Sequence, residues 1–249
     1  MIPVHPNSES HCNLERFTPE QAQQARAILE YAVRRFEHLT APDRVALTNI
    51  WTLLARASAP VSLTGMLSGA KQRYDHHMQS ALPRLINTGL VWYDEELKSV
   101  LQCPPFSALT TRHQVKAFGW NPAYVCTFLD GPLSLLLYGP NVWLQINSKC
   151  QRSGDELQMR IRWNNENELE VEAPDTAEGW YVWVRDVPET PPPHGQDTNA
   201  PRTALFHTRT DLETNRHYHP EQTGLAYSLA DAVYLGECLL NTCKAALTQ

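Results

Sequence analysis

The groups in this chain best suited to chemistry are thiols, with one carboxyl close to one of them. The six cysteines are Cys12, Cys103, Cys126, Cys150, Cys238 and Cys243. Thiolate is the soft ligand of proteins and selects soft metals. A buried free cysteine without such a task is a small hydrophobe. Asp130 follows Cys126 closely. In the first turn of a helix, separations of three and four share a face, so a thiol and an acid spaced this way converge. Cys238 and Cys243 stand five apart on an expected helix, point to different sides, and make a poor metal pair. Cys103 adjoins Pro104-Pro105 near an expected domain junction, and Cys12 sits in an N-terminal arm that can reach many places. His217-x-His219 has metal donors, but reads more readily as a polar loop before a helix. His76 and His77 are adjacent, so they face different ways on a helix. The chain has no glycine-rich phosphate loop, no Gly-x-Ser-x-Gly and no Cys-x-x-Cys.

Something must position these groups, and 249 residues are enough for a sizeable core. At 42% hydrophobic and 19% charged the composition is that of a globular, soluble protein. Met1 to Ser10 is polar, unlike a signal peptide. The apolar run Leu133-Ser134-Leu135-Leu136-Leu137 is too short to span a bilayer. The expectations are a cytoplasmic location, no membrane partner, and reduced thiols, since the cysteines are too sparse for a disulfide scaffold. A formal net charge of −6 argues against nucleic acid as the main partner.

Residues to about Phe17 read as an irregular arm. Thr18, Pro19 and Gln21 then form a capping box with proline at the first helical position. Ala22, Ala25, Leu29, Ala32 and Phe36 continue with helical spacing. Residues 43–102 predict three helices and a hairpin: Arg44 to Ala57, a short helix capped by Ser62, a third from about Arg73 to Asn87 ended by Gly89, and strands around Asp94-Glu95-Glu96. That order is a winged helix-turn-helix. Lys71, Arg73, His76, His77 and Arg84 would be its nucleic-acid contacts. The acidic wing repels phosphate and Pro83 disturbs the third helix, which favours a protein-packing domain. After Asn141 the period changes to two. Val142, Leu144 and Ile146, then Leu157, Met159, Ile161 and Trp163, then Leu169 and Val171, alternate with polar residues across turns. Trp180 to Arg185 adds a strand, and these read as consecutive antiparallel hairpins whose tryptophans fill the sheet core. Thr190 to Pro201 reads as an exposed loop, Thr203 to Thr208 as a possible return to the sheet, and Gly224 to Leu247 as a closing helix. The expected fold class is α+β, with an N-terminal winged helix-turn-helix domain followed by a mixed domain of antiparallel sheet and flanking helices. The segments are 1–42, 43–102 and 103–249.

Pro104-Pro105-Phe106-Ser107, His113-Gln114-Val115 and Tyr124-Val125-Cys126-Thr127-Phe128-Leu129-Asp130 resemble the entry to the catalytic domain of the alkylmercury lyase family. There, a Pro-Phe-Ser run and a His-x-Val lead to a Cys-x-x-Asp at a helix start. Ser148-Lys149-Cys150 with Ser153-Gly154 matches a later cysteine and turn. Leu205-Phe206, His219-Pro220, Gly224 and the last helix follow the family's order. The resemblance covers about residues 43 to 240 and rests on order and spacing. It implies that two thiolates hold the mercury of an organomercurial while a carboxylic acid protonates the bound carbon. That acid needs a shielded site to keep a proton near neutral pH.

Two departures qualify that implication. The spacing here is Cys126-x-x-x-Asp130, so anchoring on Asp130 places Thr127 at the family's cysteine. The second catalytic thiol, counted back from Phe206, falls on Pro201. The resemblance therefore implies Cys126 as primary soft-metal ligand, Asp130 as proton donor and Cys150, which matches a usually structural cysteine, as a candidate second ligand. No resident cofactor is expected: mercury belongs to the substrate, and an external thiol can assist. The partner is a small-molecule or organometal substrate. The competing readings are a non-catalytic relative that binds a metal or small hydrophobic ligand, and a winged-helix regulator that senses a ligand.

Overall fold

The computed structural model describes residues 12–62, 75–165, 168–187 and 203–248, with backbone alone at 75–77. Helix α1, Pro19–Phe36, starts as the sequence dictates: the Thr18 side chain accepts the Gln21 N–H, and the Gln21 side chain accepts the Thr18 N–H. Helix α2, Ala41–Ala57, has the same device in Thr40 and Asp43. Helix α3, Asp75–Asn87, contains Pro83. Arg84, a candidate nucleic-acid contact, is instead engaged with buried Asp43, at 2.9 and 2.6 Å to Oδ1. The expected helix capped by Ser62 falls on residues 63–74, outside the described residues, as do Lys71 and Arg73. Ser62 itself is extended, because Val61–Ser62 (β1) pairs with β3, Ser99–Cys103.

Among the described residues one nine-stranded antiparallel sheet dominates. Its further strands are β2 (Trp92–Asp94), β4 (Phe106–Ser107), β5 (His113–Ala117), β6 (Ala123–Val125), β7 (Leu144–Lys149), β8 (Glu156–Trp163) and β9 (Leu169–Glu172). The order is β1-β3-β4-β6-β5-β7-β8-β9, with β2 paired to β3. The hairpin of the expected N-terminal domain thus continues, through the β3–β4 pair, into the sheet of the expected C-terminal domain. The alternation read in the sequence is seen on β8, where Leu157, Met159, Ile161 and Trp163 are buried and their neighbours are not.

The chain departs from the expected run of hairpins after β9. Strand β10, Tyr181–Arg185, leaves the large sheet and lies centrally in a second one, between β11 (Thr203–Phe206) and β12 (Gly224–Ser228). The closing helix, expected from Gly224, begins at Leu229 as α7, Leu229–Thr248. Ser228 starts it, its hydroxyl accepting the Asp231 N–H at 3.1 Å. Gly224 belongs to the strand through its pairing with Arg185, and glycine is required there because an added Cβ would lie 2.4 Å from the Val184 carbonyl oxygen and 2.7 Å from the Trp183 ring. Arg209–Tyr218 forms a helix, α6, that the sequence reading did not assign beyond a polar loop at His217-x-His219. Leu212 is its one buried residue, so apolar periodicity could not announce it. The Thr208 N-cap on Asp211 was the available signal. The 190–201 loop lies outside the described residues. No described helix is long and apolar enough to cross a membrane.

A disulfide joins Cys12 to Cys238 and corrects the expectation that all thiols are reduced. The arm is fixed beside it: Tyr234 Oη accepts the Asn13 N–H at 2.7 Å, and Arg16 pairs with Asp231 at 2.9 Å. Helix α7 packs on α1 and on two short helical turns, α4 (Asp130–Leu133) and α5 (Leu135–Tyr138). The contact with α4 depends on Gly236, where a Cβ would sit 2.7 Å from Pro132 Cγ. A proline ring cannot rotate away. We therefore expect Gly236→Ala to destabilise the protein by about 1–3 kcal/mol from overpacking, although alanine gains about 1 kcal/mol in helix propensity. Denaturant titration checks this; an unchanged or higher midpoint contradicts it. Gly131 is the contrast: its Cβ would meet the mobile end of Ile146 at 2.8 Å, which can turn aside.

Candidate functional site

The candidate site lies where β6 runs into α4. Val125, the last residue of β6, pairs with Phe106. The chain then leaves the sheet, and hydrogen bonds from Asp130 N to Thr127 O (3.2 Å) and Gly131 N to Phe128 O (3.1 Å) begin the turn that carries Asp130 inward. Pro132 against Gly236 and Gly131 against Ile146 seat this turn. The result is an aspartate only 3% exposed. Its Oδ2 accepts the Thr127 hydroxyl at 2.8 Å.

Burial dominates the electrostatics of Asp130. It raises the carboxyl pKa to about 7, and the hydrogen bonds of Thr127 and the charge of Arg35 pull it back only in part. A carboxyl so placed holds a proton near neutral pH. Thr127, three residues earlier, is the residue that bonds to it. Cys126 has a different orientation: its thiol donates to the Phe106 carbonyl oxygen at 3.3 Å, and its N–H to Pro105 O at 3.0 Å. Cys126 is half-buried. Its thiol pKa is pushed up by burial first and then by the nearby carboxylate of Asp130 and thiol of Cys103, against the opposing charge of Arg35. Cys126 and Asp130 thus share one electrostatic environment without a direct hydrogen bond between them.

Cys150 is elsewhere. It follows β7, and the register His113↔Ser148 and Gln114↔Tyr124 puts β5 between β7 and β6. Two interstrand spacings, about 10 Å, therefore separate its strand from that of Cys126. The sulfur of Cys150 accepts N–H bonds from His207 (3.4 Å) and Ser153 (3.5 Å). Burial alone would raise its pKa, but those bonds and one from Arg152 hold it below the ordinary thiol value. The fold does not bring the sulfurs of Cys126 and Cys150 together. Among the described residues no cluster of three or more His, Cys, Asp or Glu side chains is placed to hold a metal.

His113 closes the wall between these regions. Burial lowers its pKa to about 4, so it is neutral at pH 7. Its Nδ1 lies 3.0 Å from Ser148 Oγ, its ring meets Phe128 edge-on at 6.0 Å, and it bonds to the Thr203 backbone. Thr203 Oγ1 in turn accepts the Phe128 N–H at 2.6 Å. The start of β11 is thereby fixed to the segment between Thr127 and Asp130.

Sequence reading missed Arg35 here, and weighed Cys103 without placing it beside the site. Arg35 of α1 is 8% exposed, and its Nε has no hydrogen-bond partner among the described residues. Its charge reaches Cys103, Cys126, Asp130 and Cys243. The helical pattern of Ala22, Ala25, Leu29, Ala32 and Phe36 carried no sign of it. Cys103, at the end of β3, is fully buried, and desolvation pushes its thiol to about 12. His217 and His219, weighed as metal donors, end α6 near the surface, with His219 3.4 Å from Glu221. Two clefts lie elsewhere on the described surface, the first bordering Thr203. One of about 270 Å³ is lined by Trp183, Arg185, Thr203 and His219; the other, of about 650 Å³, by Met159, Leu169, Val233 and Glu237. Neither contains Cys126 or Asp130. The chemistry of the site argues for Cys126 and Asp130 over either cleft, since a half-buried thiol there feels the charge of a shielded acid.

No protein-family model and no curated protein matches the sequence. The fold has a counterpart among solved structures: the mercury-bound form of MerB2 superposes with a TM-score of 0.60 at 16% identity, over 88% of this chain and 99% of that one. The likeness is one of fold.

Proposed function

We propose that this protein captures an organomercurial, or a related thiophilic organometal compound, on the Cys126 thiolate and protonates the carbon–metal bond from Asp130. The observation that carries the reading is the Asp130 carboxyl: buried, bonded to Thr127, with its pKa raised to about 7 beside a thiol. The fold shared with MerB2, solved in a mercury-bound form, supports it.

Each step balances, with an external thiol as the one added reagent. Cys126 loses its proton to solvent as its sulfur displaces the counter-ligand of the metal, acetate in phenylmercury acetate, and bonds to the metal. Asp130 then gives its proton to the metal-bound carbon, the carbon–metal bond breaks, and hydrocarbon leaves. The metal stays on sulfur and Asp130 becomes a carboxylate, which regains a proton from water. A soft metal suits the thiol, and the shielded acid suits the proton transfer. An external thiol completes the coordination and carries the metal away.

Capture without cleavage by a non-catalytic relative is the second reading. What favours it is Thr127, which puts a hard hydroxyl three residues before Asp130. The test is benzene release from phenylmercury acetate, measured by gas chromatography with and without excess small thiol. Slow release that thiol accelerates, and that Cys126→Ser abolishes, is the expected result. Stable labelling of Cys126 with no benzene under either condition would leave the capture-only reading.

A further inference from the structure

The smaller cleft, about 270 Å³, is walled by the second sheet and the end of α6. Strand β10 contributes Trp183 and Arg185, two residues apart and so on one face of the strand. Trp183 is 5% exposed, and its indole N–H has no acceptor among the described residues. A buried donor left so is costly, and native interiors hold few of them. The ring edge that carries this N–H lies against Gly224, where a Cβ would come within 2.8 Å of Cε2, the carbon bonded to Nε1. Gln222, two residues before Gly224, lines the cleft as well, which puts that edge at the cleft wall.

The polar groups of the cleft share one character. The guanidinium of Arg185 has no carboxylate partner among the described residues. No aspartate or glutamate lines the cleft among them either. His219 adds a ring whose Nδ1 lies 3.4 Å from Glu221, the one carboxylate set against a lining side chain. An unpaired guanidinium beside a partnerless N–H selects an anion, and the guanidinium fork matches a carboxylate with two parallel hydrogen bonds. Ala204 gives an apolar wall. The volume falls just below the roughly 300–1,000 Å³ of drug-sized pockets, so it suits a single ring or a short branched chain, not a peptide.

We propose that this cleft binds a small organic carboxylate: the carboxylate pairs with Arg185 and accepts the Trp183 N–H, and the apolar body rests against Ala204. This is a second site, separate from capture and cleavage, since neither Cys126 nor Asp130 lines it. The two sites meet at Thr203, which borders the cleft and whose hydroxyl accepts the Phe128 N–H at 2.6 Å.

The probe is benzoate, with benzamide as its neutral counterpart and inorganic phosphate as the alternative anion. The readout is the indole N–H resonance of Trp183 in a nitrogen-15 spectrum of the full-length protein. The chain has seven tryptophans, and the peak of Trp183 is the one lost in Trp183→Phe. A saturable shift of that peak on titration with benzoate is expected, with none from benzamide and no displacement of benzoate by equimolar phosphate. Arg185→Gln should raise the benzoate midpoint about tenfold or more, as for loss of a charge-assisted hydrogen bond. Cys126→Ser should titrate as the parent, so the result bears on the cleft however benzene release falls. Thermal melting shows whether each variant is folded. Arg185→Lys, which keeps the charge and loses the fork, replaces Arg185→Gln if the latter is not, with the same expectation. A linear shift or none, an equal response to benzamide, or an unchanged midpoint in the Arg185 variant would overturn the proposal. Displacement of benzoate by phosphate would overturn the carboxylate assignment, and a raised midpoint in Cys126→Ser would place benzoate at the thiol site and overturn the cleft.

Discussion

Asp130→Asn is expected to slow benzene release from captured phenylmercury by about 10²–10⁴-fold, the usual contribution of a positioned general acid, while Cys126 is labelled as before. Asparagine keeps the size of the side chain and can still accept the Thr127 hydroxyl bond, so loss of the proton is the main change. The same carboxyl sets two pH dependences. In the parent, release should fall as pH rises through about 7, where Asp130 loses its proton, whereas capture should speed up with pH because the Cys126 thiol pKa is raised. Stability is linked as well. Between the ordinary aspartate value of 3.8 and about 7, the folded protein holds a proton that the unfolded chain has released. Stability therefore declines as pH rises across that window, by a few kcal/mol at most given about 1.4 kcal/mol per unit. Asp130→Asn should flatten this decline in urea titrations at several pH values. A parent whose stability from this group increases over the window would contradict the burial argument.

The second large effect is at Cys126. Cys126→Ser replaces a soft ligand by a hard one at the half-buried position and removes little packing. We expect stoichiometric capture of phenylmercury there to drop by about a hundredfold or more, in line with the preference of soft metals for sulfur. Folding should be nearly unchanged, because the hydroxyl can still donate to Phe106 O. Mass spectrometry of the labelled protein in competition with a small thiol measures this. Labelling that persists on Cys150, with its lowered pKa, would move the capture site across the sheet.

Much of this fold could be read from local rules. The Thr18–Gln21 capping box and the alternation of Leu157, Met159, Ile161 and Trp163 each depend on short-range chemistry, and each is present. The reading failed where a long-range contact decides. Gly224 looked like a helix start, but its pairing with Arg185 on β10 makes it a strand residue. Cys12 looked free in an arm, but Cys238 lies 226 residues away and claims it. The site divides the same way. Cys126 and Asp130 are near in sequence, so their proximity was legible. Arg35 and Cys103 reach the site only through the packing of α1 and the β3–β4 pairing, which no spacing in the chain announces.

The measurement that bears most directly on the central claim is an anomalous-scattering crystal structure of the Asp130→Asn protein loaded with phenylmercury. The proposed function predicts mercury bonded to Cys126 Sγ, with its phenyl carbon turned toward residue 130 at near-contact distance. Mercury on Cys150, or on Cys126 with the phenyl group directed into solvent, would contradict it.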